Sequence, residues 1–90
     1  MMTITHHPEK QQFTTEVEGH TAHIDYELAN NVMNITHTIV PEAIGGRGIA
    51  GQLMEAALNT AKEKAWKVIP SCSYAAAYIK RHPEFADLLA

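Results

Sequence analysis

The stretch Val40-Pro41-Glu42-Ala43-Ile44-Gly45-Gly46-Arg47-Gly48-Ile49-Ala50-Gly51 joins an alternating apolar run to a segment of helical periodicity. Its glycines let the backbone turn with almost no side chains, and the first amides of a helix have no intrahelical acceptor. A strand that runs through such a turn into a helix, and then into another strand, makes a parallel crossover unit. At the C-terminal end of its first strand lies a row of amide donors backed by the helix dipole, which is a natural seat for a phosphate.

The rest of the chain builds around this unit. Residues around 11–17 place Phe13, Thr15 and Val17 on one face, and Gly19-His20 turns the chain into a second alternating run. There Ala22, Ile24, Tyr26 and Leu28 share a face opposite His23, Asp25 and Glu27, before Ala29-Asn30-Asn31 makes another turn. A third run, about 32–40, groups Met33, Ile35, His37 and Ile39 by strict alternation. The three runs predict an antiparallel meander.

After the glycines, Ile49, Ala50, Leu53, Met54, Ala57, Leu58 and Ala61 recur at helical spacing and predict one helix over roughly 47–64. Trp66 to Pro70 then reads as a short fourth strand centred on Val68-Ile69, parallel to the third. Ser71 or Ser73 is expected to cap a last helix through about Arg81, which Pro83 stops. The expectation is therefore an α+β fold in a single domain over residues 1–90, with residues 1–9 a flexible or edge segment. His6-His7 and His20-x-x-His23 read as mobile or exposed polar surface, since no cysteine or carboxylate cluster accompanies them to close a metal site.

Composition narrows the partners. Ninety residues with 46% hydrophobic content allow one small core. A domain of this size has a shallow cleft, or one completed by a ligand or a second copy, so monomer and homodimer both stand open. A formal charge of −3 gives no reason to expect nucleic acid as a partner. No run is long and apolar enough to suggest a membrane span, and the first residues lack the pattern of a secretory leader. A single cysteine excludes a disulfide framework and points to a reducing cytoplasm.

Gly46-Arg47-Gly48-Ile49-Ala50-Gly51 matches the spacing of a dinucleotide fingerprint literally. That reading needs an acidic residue at the end of the next strand, where this chain has Ser71-Cys72-Ser73, and more parallel strands. The order of elements instead resembles the GNAT superfamily of acyl-coenzyme A-dependent N-acetyltransferases, in its minimal form of about 90 residues. The resemblance rests on His37-Thr38-Ile39-Val40-Pro41, Gly46-Arg47-Gly48-Ile49-Ala50, Ile69-Pro70-Ser71-Cys72-Ser73-Tyr74 and Arg81-His82-Pro83-Glu84-Phe85, and covers about residues 13–89. It implies that acetyl-CoA or coenzyme A is the cofactor, bound by Ile39, Val40, Gly45, Gly46, Arg47, Gly48, Ile49 and Ala50, with the pantetheine arm between the third and fourth strands. The superfamily's Gln or Arg ahead of the glycines falls here on Ala43, so binding rests on backbone amides and Arg47.

Acetyl transfer to an amine needs a neutral nucleophile, a polarised thioester carbonyl and a proton for the departing thiolate. His37, on the strand leading to the implied thioester site, is a candidate base or a partly buried core histidine. Cys72, where a helix start can lower a thiol pKa, is a candidate acetyl acceptor or proton donor; a small buried hydrophobe is the alternative. Tyr74 and Tyr78 lie four apart on one helix face, where the superfamily often places a tyrosine that protonates the thiolate, and Tyr78 is the better positional match. The leading expectation is transfer of an acetyl group to a small amine or a protein lysine. A coenzyme-binding module without efficient turnover and a structural partner-binding domain are the rivals.

Overall fold

The computed structural model describes residues 3–90. A five-stranded sheet runs in sequence order: β1 (Ile4–His7), β2 (Gln12–Val17), β3 (His20–Ala29), β4 (Val32–Ile39) and β5 (Lys67–Pro70). The first four strands pair antiparallel and β5 joins β4 in parallel. The meander and the parallel fourth strand of the sequence reading are both present. One strand more, β1, lies along the outer edge.

Turn chemistry sets these pairings. Glu18 and Gly19, and then Asn30 and Asn31, all take positive φ, the backbone that two-residue hairpin loops require and that Gly and Asn adopt most cheaply. Residues 6 and 7 belong to β1 and are half-buried. The His6 ring stacks on Phe13 at 4.1 Å, and its Nε2 lies 2.6 Å from the Tyr26 hydroxyl.

Helix α1 (Ile49–Glu63) lies across the sheet and buries Ile49, Leu53, Met54, Ala57, Leu58 and Ala61. They meet Phe13, Ala22, Ile24, Met33, Ile35 and Val68 from the strands. Each fully buried aliphatic side chain of this set contributes about 1.5–3 kcal/mol. Helix α2 (Ser73–Arg81) packs beside α1 through Ala75 and Ile79. Its cap residue is Cys72, with no side-chain capping bond, so neither Ser71 nor Ser73 plays the expected part. A 3₁₀ segment, Pro83–Leu88, brings Phe85 into the core, and Leu89 bridges to Val68 so that the outer edge of β5 is covered.

The helices cover one face of the sheet and leave the other open. That open face carries Gln12, Thr14, His23, Asp25 and Asn34 between the buried residues of each strand. Alternation in β4 breaks midway. Tyr26 pairs with Ile35 but Asp25 pairs with His37, so Thr36 is an extra residue, a β-bulge. The reading that put His37 and Ile39 on the face of Met33 and Ile35 is thereby corrected: both are exposed, and Ile39 is 48% accessible. A one-residue shift in a period-two element reverses every side chain beyond it.

Candidate active site

β4 and β5 run together for four residues, from Val32–Lys67 to Ile35–Pro70, and then part. The Cys72 amide donates to the Ile35 carbonyl at 3.0 Å, and Ser71 Oγ donates to Asn34 Oδ1 at 2.6 Å, fixing the point of divergence. Beyond it, among the described residues, the edge of β4 on the β5 side has no strand beside it from Thr36 to Ile39. An extended amide-bearing chain fits such an edge as an added strand does.

Cys72 stands at this fork. Its Sγ donates to Thr38 Oγ1 at 3.5 Å, because the bulge has turned Thr38 toward the helices. Burial pushes the thiol pKa up, but once the proton is lost the thiolate accepts from the Thr38 hydroxyl in turn, and this bond together with those to the backbone of Ala75, Tyr74 and Thr38 outweighs burial. The thiol is held below its ordinary value.

The glycine turn closes the far end of the fork. Ile44, fully buried at the end of the 3₁₀ turn Glu42–Ile44, anchors it, and Gly46 and Gly48 adopt φ of +77° and +74°. Gly48 is the cap of α1. Among the described residues, the amides of Gly46, Arg47, Gly48, Ile49, Ala50 and Gly51 have no hydrogen-bond acceptor. A Cβ built on Gly46 or Gly48 meets nothing within 4 Å, so the turn is uncrowded on the side where a side chain would stand. This donor set fits a diphosphate. Arg47 is not free to join it without exchange, since its guanidinium donates two bonds to the Glu18 carboxylate, at 2.6 and 3.2 Å. Val40 is half-buried against the core, whereas Ile39 and Gly45 lie exposed on either side of it.

Tyr74 and Tyr78 lean over the first turn of α1. A Cβ on Gly51 would lie 3.5 Å from the Tyr74 hydroxyl and 3.9 Å from the Tyr78 ring, ordinary contact distances, so both rings lie close against this turn of α1. The Tyr78 ring stacks on His82 at 3.9 Å, and His82 Nδ1 donates to the Tyr78 carbonyl at 2.8 Å. Burial first, then the carboxylate of Glu55, raise the Tyr78 phenol above its ordinary value, which keeps it protonated.

The structure thus gathers Cys72, Tyr78 and the glycine turn on the helix side of the fork and sends His37 to the open face. There His37 Nδ1 lies 3.2 Å from the Thr36 hydroxyl. Glu18 was not singled out in the sequence, and Thr38 and Gly51 stood there only as members of motifs, without the contacts they make. Nothing in local periodicity signals the bulge that turns Thr38 inward, and Glu18 reaches Arg47 from 29 residues away. Among the described residues no group of three or more His, Cys, Asp or Glu side chains is gathered for a metal ion.

This fork, with a free row of amides at the head of the crossover helix, is the arrangement of an acyl-transferase fold, and the comparisons agree. The profile of the GCN5-related N-acetyl-transferase family matches residues 12–88, and the chain belongs to that family. It is 35% identical over 83 residues to Protein NATD1 of Gallus gallus, spanning 89% of this chain and 76% of that one. Identity to Protein NATD1 of Homo sapiens is also 35%, over 89% of this chain and 74% of the relative. The solution structure of a GCN5-like protein from Staphylococcus aureus superposes with a TM-score of 0.77 at 30% identity, over 98% of this chain and 87% of that one.

Proposed function

We propose that the protein binds acetyl-CoA in the fork between β4 and β5 and transfers its acetyl group to an amine. The observation that carries this reading is the junction of two features. A strand edge without a partner from Thr36 to Ile39 leads directly to six consecutive amides without acceptors, Gly46 to Gly51. Bound there, acetyl-CoA supplies an acetyl group activated as a thioester.

The chain's own residues divide the work. Gly45 to Ala50 receive the diphosphate through backbone N–H groups, with Arg47 exchanging Glu18 for phosphate. Ile39 and Val40 line the edge along which the pantetheine arm lies, and a backbone amide near Ile39 polarises the carbonyl. Tyr78, held protonated, donates to the departing sulfur. Cys72, a lowered thiol at a helix start, serves as an acyl acceptor or a second proton donor. His37 takes the proton leaving the acceptor on the open face. A free thiol in this position suits a reducing compartment, and the cytoplasm is the proposed location.

Calorimetric titration with acetyl-CoA and coenzyme A, followed by intact mass, tests the proposal. Saturable binding that Gly46→Glu abolishes is the expected result. A mass gain of one acetyl group, lost in Cys72→Ala, assigns Cys72 as the acceptor. Absence of binding at millimolar ligand overturns the reading and favours a partner-binding domain.

A further inference from the structure

The open face of the sheet carries a polar cluster that the binding of a coenzyme does not use. Gln12, Asp25 and His37 stand in one row across β2, β3 and β4, and Thr14, His23 and Ile39 in the next. Asp25 Oδ1 accepts from Gln12 Nε2 and from His23 Nδ1, both at 2.9 Å. Because an ionised carboxylate only accepts, Nδ1 of His23 is the donor in this contact. Among the described residues nothing donates to the other carboxylate oxygen, Oδ2. The Asp25 side chain keeps 35% of its surface accessible.

The bulge sets His37 beside this cluster. Continued from the Tyr26–Ile35 pair, a regular ladder would set Asp25 opposite Thr36; the extra residue sets it opposite His37. The same segment of β4 therefore shows Thr38 on its helix side, against the Cys72 thiol, and His37 on its open side, opposite Asp25 of β3. The charge of the surface is one-sided as well. β1 to β4 contain no Lys or Arg, while Glu16, Asp25 and Glu27 alternate with the buried residues of β2 and β3.

We infer that Asp25 is the anchor for the acceptor, and that the acceptor is a primary amine arriving as its ammonium ion from the open face. The inference rests on the acetyl-transfer reading above. The ammonium donates to Asp25 Oδ2 while Gln12 and His23 hold Oδ1 in place. One proton then passes to His37, opposite Asp25 on β4. The neutral nitrogen forms the new C–N bond as the C–S bond breaks, and its second proton ends on the departing sulfur. Asp25 is thus the specificity group, and His23 a positioning residue that acts through it.

The test compares two amines of similar shape, benzylamine, cationic at pH 7.5, and aniline, neutral there, in the parent and in Asp25→Asn. The expected result is a roughly tenfold or greater loss of kcat/KM for benzylamine, carried by KM, with aniline changed less than about twofold. Affinity for acetyl-CoA stays unchanged. Independently of turnover, titrating benzylamine into the parent shifts the His23 ring-nitrogen NMR signals, and Asp25→Asn abolishes the shift. Equal losses for both amines, or no loss for benzylamine, overturn the inference and leave the transferase reading standing. A parent protein that binds no acetyl-CoA overturns both.

Discussion

Cys72 and Thr38 meet across the point where β4 and β5 part, Sγ 3.5 Å from Oγ1. The hydroxyl is one of four bonds that hold the thiol below its ordinary pKa against the opposing effect of burial. Thr38→Val keeps the shape and removes the donor. The thiol pKa then rises, the thiolate fraction at pH 7 falls, and alkylation of Cys72 by iodoacetamide slows by roughly threefold to tenfold. The pseudo-first-order rate across pH 6–9 reads this directly.

Arg47 is engaged by Glu18 on the β2–β3 turn. Exposed pairs of this kind contribute little to stability, so Glu18→Gln leaves the melting temperature unchanged. It does free the guanidinium beside the amide row. Coenzyme A is expected to bind about twofold to fivefold more tightly to this variant at low ionic strength, with the difference fading in high salt. Titration at two salt concentrations checks it.

Gly51 lies inside α1, and a methyl group there meets Tyr74 and Tyr78 at ordinary van der Waals distance. Gly51→Ala therefore fits without displacing either ring and gains helix propensity. Stability rises by up to about 1 kcal/mol in urea unfolding, while Gly51→Leu lowers it by forcing the tyrosines aside.

His6 sits between Phe13 and the Tyr26 hydroxyl, and burial first, then Lys64 and His7, lower its pKa from 6.5. The unfolded chain therefore takes up this proton at a higher pH than the folded one. Stability from the neutral ring is fully present above about pH 6.5 and drains as pH falls through the folded value. His6→Phe keeps the stack and removes the titration. Its melting temperature is expected to fall less than the parent's between pH 7 and 5.

The fold was legible where period and turn chemistry act locally. Ile49, Leu53, Ala57 and Ala61 mark the buried face of α1, and the glycines place its start within two residues. Phe13, Ile24 and Met33 lie on the faces that alternation assigns. The site was legible only in its outline. Gly46 and Cys72 lie beside the fork, but the partners that tune them, Glu18 for the neighbouring Arg47 and Thr38 for the thiol, come through space. A bulge leaves no trace in a pattern of threonines, and the sequence Thr36-His37-Thr38 alternates equally well in either phase. Edge strand β1 was hidden because four residues with two histidines carry too little apolar contrast to show a period.

The bulge at Thr36 makes β4 a strand read in two frames. Up to Ile35 its odd-numbered residues belong to the core; beyond Thr36 its even-numbered ones do. Regularising the ladder at constant length would set Thr36 opposite Asp25 and transpose the second half, driving an imidazole among the helices and turning Thr38 away from the thiol, whereas deleting Thr36 itself would remove the bulge and leave both side chains facing as they do. The register beyond Ile35, more than the identity of Thr36, is what this segment must preserve.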